Sequence, residues 1–128
     1  MSFDTIDLFA RGVRILPDGQ VFAEERRMRG DIDGWTVATF HVETDADVHS
    51  DTWEMHPSGE ELVSVLAGSA RVYLRAETGS ATEDFVQLRA GSAVVVPRGR
   101  WHRIELDEPS DLMSIGPRRG TQLERCTQ

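Results

Sequence analysis

Short runs of alternating apolar and polar residues dominate this chain, and they predict strands rather than helices. Side chains of a strand alternate between its two faces, so residues two apart face the same way. In the run that ends at Leu106, His102 and Ile104 share its face, which is apolar apart from the histidine. Arg103 and Glu105 fall on the opposite, polar face. We therefore expect a strand with one buried side, and His102 on that side.

Glycines and prolines separate about nine such runs, at intervals of roughly 8 to 12 residues. Seven predicted strands are 13–16, 20–23, 35–42, 70–77, 85–88, 93–96 and 112–115, with others around the turn at 57–59 and at 101–106. Loops are predicted at 24–34, 43–51 and 78–84, one or two helical turns at 4–11, and a tail from Gly116 onward. Many short strands punctuated in this way are typical of a β-sandwich or a β-barrel.

Length and charge narrow the class of protein. The chain has 128 residues, which predicts a single domain over 1–128, and a formal net charge of −8. Nucleic acids and anionic membranes need a basic surface, so neither is expected as a partner. The one cysteine, Cys126, excludes an intramolecular disulfide, and no apolar run is long enough for a signal peptide or a membrane span. These features predict a soluble cytoplasmic protein.

A group of acids and histidines stands out against this background. Glu54 and His56 are two residues apart and share a strand face, and the turn after them can bring Glu61 onto a neighbouring strand. His102 faces the interior as well. Burying unpaired charges is costly, and a divalent metal bound by imidazole and carboxylate groups would explain the cluster. Glu54 and Glu61 alone could also form the carboxylate pair of a glycosidase, but a metal accounts for both histidines too.

The intervals between these residues resemble those of the cupin family, whose two motifs read G-x5-H-x-H-x3,4-E-x6-G and G-x5-P-x-G-x2-H-x3-N. The first motif is matched over 54–68 and the second over 91–106. The matching residues are His56, Glu61 and Gly68 in the first, and Gly91, Pro97, Gly99 and His102 in the second. Three positions depart from the pattern: Glu54 replaces the first histidine, Leu106 replaces the final asparagine, and Val48 stands where the first glycine is expected.

The resemblance implies an all-β double-stranded β-helix, that is, a jelly-roll barrel. It also implies a divalent metal ion (Fe, Mn, Ni or Zn) held by His56, Glu61 and His102. Glu54 would be a fourth ligand, a general base, or a carboxylate that orients a ligand histidine. A metal-dependent enzyme follows, dioxygenase-like or isomerase- or lyase-like, acting on a small molecule in the barrel cavity. The alternative is a non-catalytic cupin that binds or stores a small ligand, with a structural metal or none.

The remaining candidates receive weaker roles. His41 lies on the predicted strand 35–42 and is expected to be a core histidine, or to line the cavity. His49 is expected in a loop, and Arg98 and Arg100 on the surface, where one of them could hold an anionic substrate. Trp53 and Trp101 each precede a candidate ligand by one residue, so strand parity turns both toward the outer face. An exposed pair of indoles would favour a homodimer.

Overall fold

The computed structural model describes residues 3–28, 30–76 and 83–126, and within them the chain forms two antiparallel sheets. The strands are β1 Gly12–Ile15, β2 Val21–Glu24, β3 Trp35–Val42, β4 Thr52–Met55, β5 Glu61–Ala67, β6 Ser69–Leu74, β7 Asp84–Arg89, β8 Ser92–Val96, β9 His102–Leu106, β10 Ser110–Gly116 and β11 Gln122–Arg125. A short 3₁₀ helix at Asp45–Val48 interrupts the loop between β3 and β4.

Strands that are distant in sequence are neighbours in both sheets. One sheet has the order β2-β1-β3-β10-β5-β8 and the other β11-β4-β9-β6-β7. A chain that crosses between two packed sheets in this way forms a jelly-roll barrel. The all-β jelly-roll prediction is therefore confirmed.

The core lies between the two sheets and uses the inward residues of each. Val63 and Val65 of β5 and Leu112 of β10 meet Val72 of β6 and Leu88 of β7, and all five side chains are buried. Each such side chain contributes about 1.5–3 kcal/mol by leaving water. The alternation seen in the sequence thus gives each sheet one buried face and one solvent-exposed face.

Gly68 carries the chain from β5 in one sheet to β6 in the other. Its φ of 94° lies in the region that side chains avoid, and a Cβ there would lie 2.2 Å from the Oγ of Ser110. Only glycine fits this corner. The glycine that closes the first motif therefore has a structural role.

Most strand predictions agree with the structure to within one or two residues, and 35–42 coincides with β3. The helical turns predicted at 4–11 are not found. The amides of Ala10 and Arg11 donate to the carbonyl of Asp7, and that single turn does not continue into a helix. A single helical turn fixes several backbone dihedral angles but gains few hydrogen bonds, so it is not stable enough to extend into a helix. The predicted hairpin loop at 78–84 lies mostly outside the described residues.

The predicted tail is wrong, because β10 extends through Gly116 and is followed by β11. Strand β11 pairs with β4 along its whole length, with Leu123 opposite Glu54 and Glu124 opposite Trp53. All four residues of β11 are exposed, so no alternation marks it in the sequence.

The expected pair of exposed indoles is also wrong. Trp53 is only 5% exposed, because the guanidinium groups of Arg75 and Arg103 cover it, with their Cζ atoms 5.9 and 5.0 Å from a ring of the indole. Arg75 also lies 4.6 Å from a ring of Trp101, which is half-buried. The outer face of the sheet β11-β4-β9-β6-β7 is thus a layer of stacked arginines and aromatic rings. The homodimer remains a prediction, but exposed indoles no longer support it.

Candidate metal centre

Three strand ends bring the candidate residues together. Glu54 of β4 and His102 of β9 are directly opposite each other in the antiparallel register. His56 follows β4 by one residue, and Glu61 is the first residue of β5. The turn between them, expected from Pro57 to Gly59, moves the chain from one sheet to the other, so the four side chains meet between the sheets.

Four donor atoms converge at this point. His56 Nε2 lies 3.1 Å from Glu54 Oε1 and 3.3 Å from Glu61 Oε1. His102 Nε2 lies 2.9 Å from Glu61 Oε1 and 3.7 Å from Glu54 Oε1. One donor atom from each residue lies within 4.8 Å of all the others. His56, Glu61 and His102 are buried, whereas 30% of the Glu54 side chain is exposed.

The Nδ1 atom of each imidazole already has a hydrogen-bond partner outside the cluster. His102 Nδ1 lies 3.3 Å from the carbonyl oxygen of Arg100, which can only accept, so Nδ1 carries a proton and donates it. His56 Nδ1 lies 2.8 Å from the hydroxyl of Thr121, which can accept in the same way. Both rings are therefore held with Nε2 toward the two carboxylates, the orientation that a metal ligand needs.

A buried arginine completes the surroundings of Glu61. Arg118 is fully buried, and its Nη1 donates to Glu61 Oε2 at 2.8 Å while its Nη2 donates to Ser114 Oγ at 2.8 Å. The other oxygen of Glu61 faces the two histidines. Glu61 thus uses one oxygen for the arginine and one for the cluster.

The charges in this cluster change the pKa of its members. Burial disfavours a charged His56, but Glu54 and Glu61 outweigh burial and raise its pKa to about 9. Burial likewise opposes ionisation of Glu61, yet His102, His56 and Arg118 together hold its pKa well below the usual range. Without a metal, the cluster therefore favours ionised Glu61 and a protonated His56.

The donor set fits a divalent cation. Although His56 Nε2 is close to two carboxylates, neither is oriented to make a hydrogen bond, and this buried atom has no hydrogen-bond partner among the described residues. Ligands bound at about 2.1 Å lie about 3.0 to 3.4 Å apart in octahedral or tetrahedral sites, close to most of the spacings here. Two imidazoles and two carboxylates suit Zn, Fe, Mn or Ni.

A cavity of about 450 Å³ opens beside the cluster, between the sheets. Glu54, Glu61 and His102 contribute to its wall. A metal held by these residues would therefore face a space large enough for a small organic molecule.

The other sequence candidates lie away from the cluster. His41 neither is a core residue nor lines the cavity: its ring is exposed and lies 2.7 Å from Asp111 and 2.6 Å from Glu43, two carboxylates that raise its pKa. His49 is in the expected loop, at the edge of the cavity. Arg98 is exposed and donates to the carbonyl of Pro57.

Sequence reasoning missed Arg118 and Thr121, because both fall in the segment taken for a tail. The sequence feature that could have indicated them is the run Gly116-Pro117-Arg118, in which a small and a rigid residue precede an arginine able to pair with a buried acid such as Glu61. The structure explains the glycine, since a Cβ at Gly116 would lie 3.1 Å from the Cβ of Glu61.

Comparisons with known proteins agree with this architecture. A family model described as "Cupin domain" matches residues 40–116. The fold is similar to oxalate decarboxylase of Bacillus subtilis at pH 4.6, with 22% identity and a TM-score of 0.53 over 71% of this chain and 23% of that one. It is also similar to a cupin-2 domain containing protein from Shewanella frigidimarina, with 22% identity and a TM-score of 0.50 over 72% and 78% of the two chains.

These likenesses concern the fold. This chain spans about a quarter of the oxalate decarboxylase, and a search of curated proteins gave no match. In the described part of the chain, no helix is long and apolar enough to cross a membrane.

Proposed function

Because this chain belongs to the cupin domain family, we propose that it is a metal-dependent enzyme that acts on a small molecule in its barrel cavity. The observation that carries the proposal is the convergence of four donor atoms, from Glu54, His56, Glu61 and His102, on the cavity side of the barrel. The surroundings of His56 support it: Nε2 lies 3.1 and 3.3 Å from two carboxylate oxygens without an aligned hydrogen bond among the described residues, and a cation bound between these atoms would satisfy all three.

A divalent cation in this site would act as a Lewis acid and as a template for an oxygen-bearing substrate, the chemistry of oxygenases, isomerases and lyases alike. The protein's own groups prepare the site. Thr121 and the carbonyl of Arg100 fix the two rings, so that Nε2 of each is available without rearrangement. The cavity wall beside them is largely apolar.

Glu54 is the residue that we assign to proton transfer. Its side chain lines the cavity and is 30% exposed, compared with 2 to 4% for His56, Glu61 and His102. A carboxylate in that position can take a proton from a bound substrate and return it later.

Arg118 sets the charge of the centre. The carboxylates of Glu54 and Glu61 would neutralise a divalent cation. Arg118 forms an ion pair with Glu61, so the cation, the two carboxylates and the guanidinium together would carry one net positive charge. The centre would therefore favour the development of negative charge on a substrate oxygen.

A second candidate function is supported by the same charges. Protonated His56 and Arg118 balance Glu54 and Glu61 without a metal, because the pKa of His56 is about 9. A metal-free protein that binds a small ligand in the cavity is therefore the alternative. The two candidates differ in whether the purified protein holds a cation.

Elemental analysis of protein purified without chelators tests the proposal. We expect about one equivalent of divalent metal per chain in the wild type, and less than roughly a tenth in His102→Ala, which loses one of a few ligands. His41→Ala is the matched control, because that histidine is exposed and outside the cluster. Wild-type protein without metal, and without a thermal shift on adding Fe, Mn, Ni or Zn, would favour the metal-free alternative.

A further inference from the structure

The wall of the cavity that continues away from the four donor atoms is mainly apolar. Carbon side chains come from both sheets, and they include Phe40, Val42, Val63, Ile104, Leu112 and Leu123. A polar substrate would leave its own groups unpaired against such a wall. The cavity therefore matches a ligand whose body is hydrocarbon.

The size of the cavity indicates how much of a ligand it can enclose. An apolar protein cavity of about 150 Å³ admits one benzene molecule. The cavity of about 450 Å³ is three times larger, which corresponds to roughly eighteen non-hydrogen atoms. A molecule as small as a two-carbon acid would leave most of the apolar wall without contacts.

The charges on the wall disfavour a second acidic group on the ligand. Asp47, Glu54 and Glu61 contribute three carboxyl groups. Among the described residues that line the cavity, Arg103 is the single arginine, and its guanidinium is bonded to Glu105 and lies 3.5 Å from Glu83. It also stacks on Trp53 and Tyr73, at 5.0 and 4.4 Å. The guanidinium of the described wall is therefore already paired with carboxylates of the protein.

From these observations we infer that the site takes a medium-sized amphiphilic substrate, with one oxygen-bearing head at the metal and an apolar body along the cavity, rather than a small dicarboxylate. This inference rests on the proposed metal-dependent function. It separates this chain from the oxalate-directed activity named for one of the structures that share its fold.

Isothermal titration of zinc-loaded protein with three chelating probes tests the inference. Acetohydroxamate and octanohydroxamate share one head group and differ by six methylenes, and oxalate carries two acids and no apolar body. Each buried methylene is worth about fourfold in affinity. We expect octanohydroxamate to bind at least about a hundredfold more tightly than acetohydroxamate, and oxalate to bind more weakly than either. Hydroxamates that bind within threefold of each other, or tighter binding of oxalate, would overturn the inference.

A pair of variants locates the apolar body. Leu123 lines the cavity, whereas Leu66 does not, and both are 45% exposed. Serine at either position removes the apolar side chain without placing a charge beside Glu54, the residue opposite Leu123. Leu123→Ser should weaken octanohydroxamate at least about fivefold and leave acetohydroxamate within twofold, and Leu66→Ser should change neither. Equal effects of the two variants would contradict the placement. Acetohydroxamate reports on the metal itself: its failure to bind overturns the proposed function and this inference together, whereas its binding without a chain-length effect overturns the inference alone.

Discussion

Replacement of Arg118 by methionine is the sharpest test of how this site is held together. Methionine keeps an unbranched, flexible side chain that is shorter than that of arginine, and it removes both charged hydrogen bonds, to Glu61 and to Ser114. Glu61 is only 4% exposed, so one of its oxygens would be left in the interior without a partner. Removing one member of a buried ion pair costs about 3–5 kcal/mol, because the remaining charge is uncompensated.

We therefore expect metal-free Arg118→Met to be less stable than the wild type by about 3–5 kcal/mol, measured by urea unfolding at pH 7. In a chain of this size that is a fall in Tm of roughly 12–20 °C. The pKa of Glu61 should rise, since Arg118 is one of the groups that hold it down. Added zinc should recover part of the loss, because a cation supplies the positive charge that the variant lacks.

Arg119→Met is the matched control. Arg119 is the next residue, and its guanidinium is half-exposed and pairs with Asp31 and Asp33 at the surface. Exposed ion pairs are worth about 0–1 kcal/mol, so this variant should unfold almost like the wild type. If Arg118→Met lost less than about 1 kcal/mol, or no more than the control, the pair would not be the buried charge link described above.

Three further predictions concern other parts of the site and its cover. The pKa of His56 is about 9 in the metal-free fold, above its ordinary value of 6.5. Protonated His56 therefore adds about 3 kcal/mol to the free energy of unfolding below pH 6.5, and this contribution is lost as the pH rises to about 9. Urea unfolding at several pH values should show this fall, and His56→Gln should abolish it. Glu54→His restores the family pattern and should retain metal by elemental analysis while lowering turnover at least about tenfold; unchanged turnover would favour the ligand-binding alternative. Arg103→Ala uncovers Trp53 and should cost about 1–2 kcal/mol with a red shift in tryptophan fluorescence, and an unchanged spectrum would refute that cover.

Local pattern was sufficient for most strands of the barrel. Strand parity placed His102 on an apolar face, because parity depends only on neighbours close in sequence. The grouping of His56 and Glu61 with His102 came instead from the resemblance to the cupin motifs. The structure brings these residues and Glu54 together.

Strand parity could not predict which side chains from other parts of the chain cover a given residue. It turned Trp53 outward, but the arginines that cover it come from β9 and from the residue after β6. It left His41 in the interior, although two carboxylates hold that ring at the surface. Such contacts join residues distant in sequence, and no local pattern records them.

The segment after Gly116 was missed for a related reason. Strand β11 is short, polar and exposed, and only its pairing with β4 makes it a strand. Arg118 and Thr121 look like surface residues until the barrel closes around them.

The pairing of β11 has a practical consequence for where this domain is cut. The match to the family model ends at residue 116, yet Arg118 and Thr121, which hold Glu61 and His56, lie just beyond it. A fragment trimmed to that boundary would keep all four donor residues and lose the two side chains that aim them. We expect it to bind zinc at least about tenfold more weakly than the full chain, so the functional module is longer than the segment by which its family is recognised.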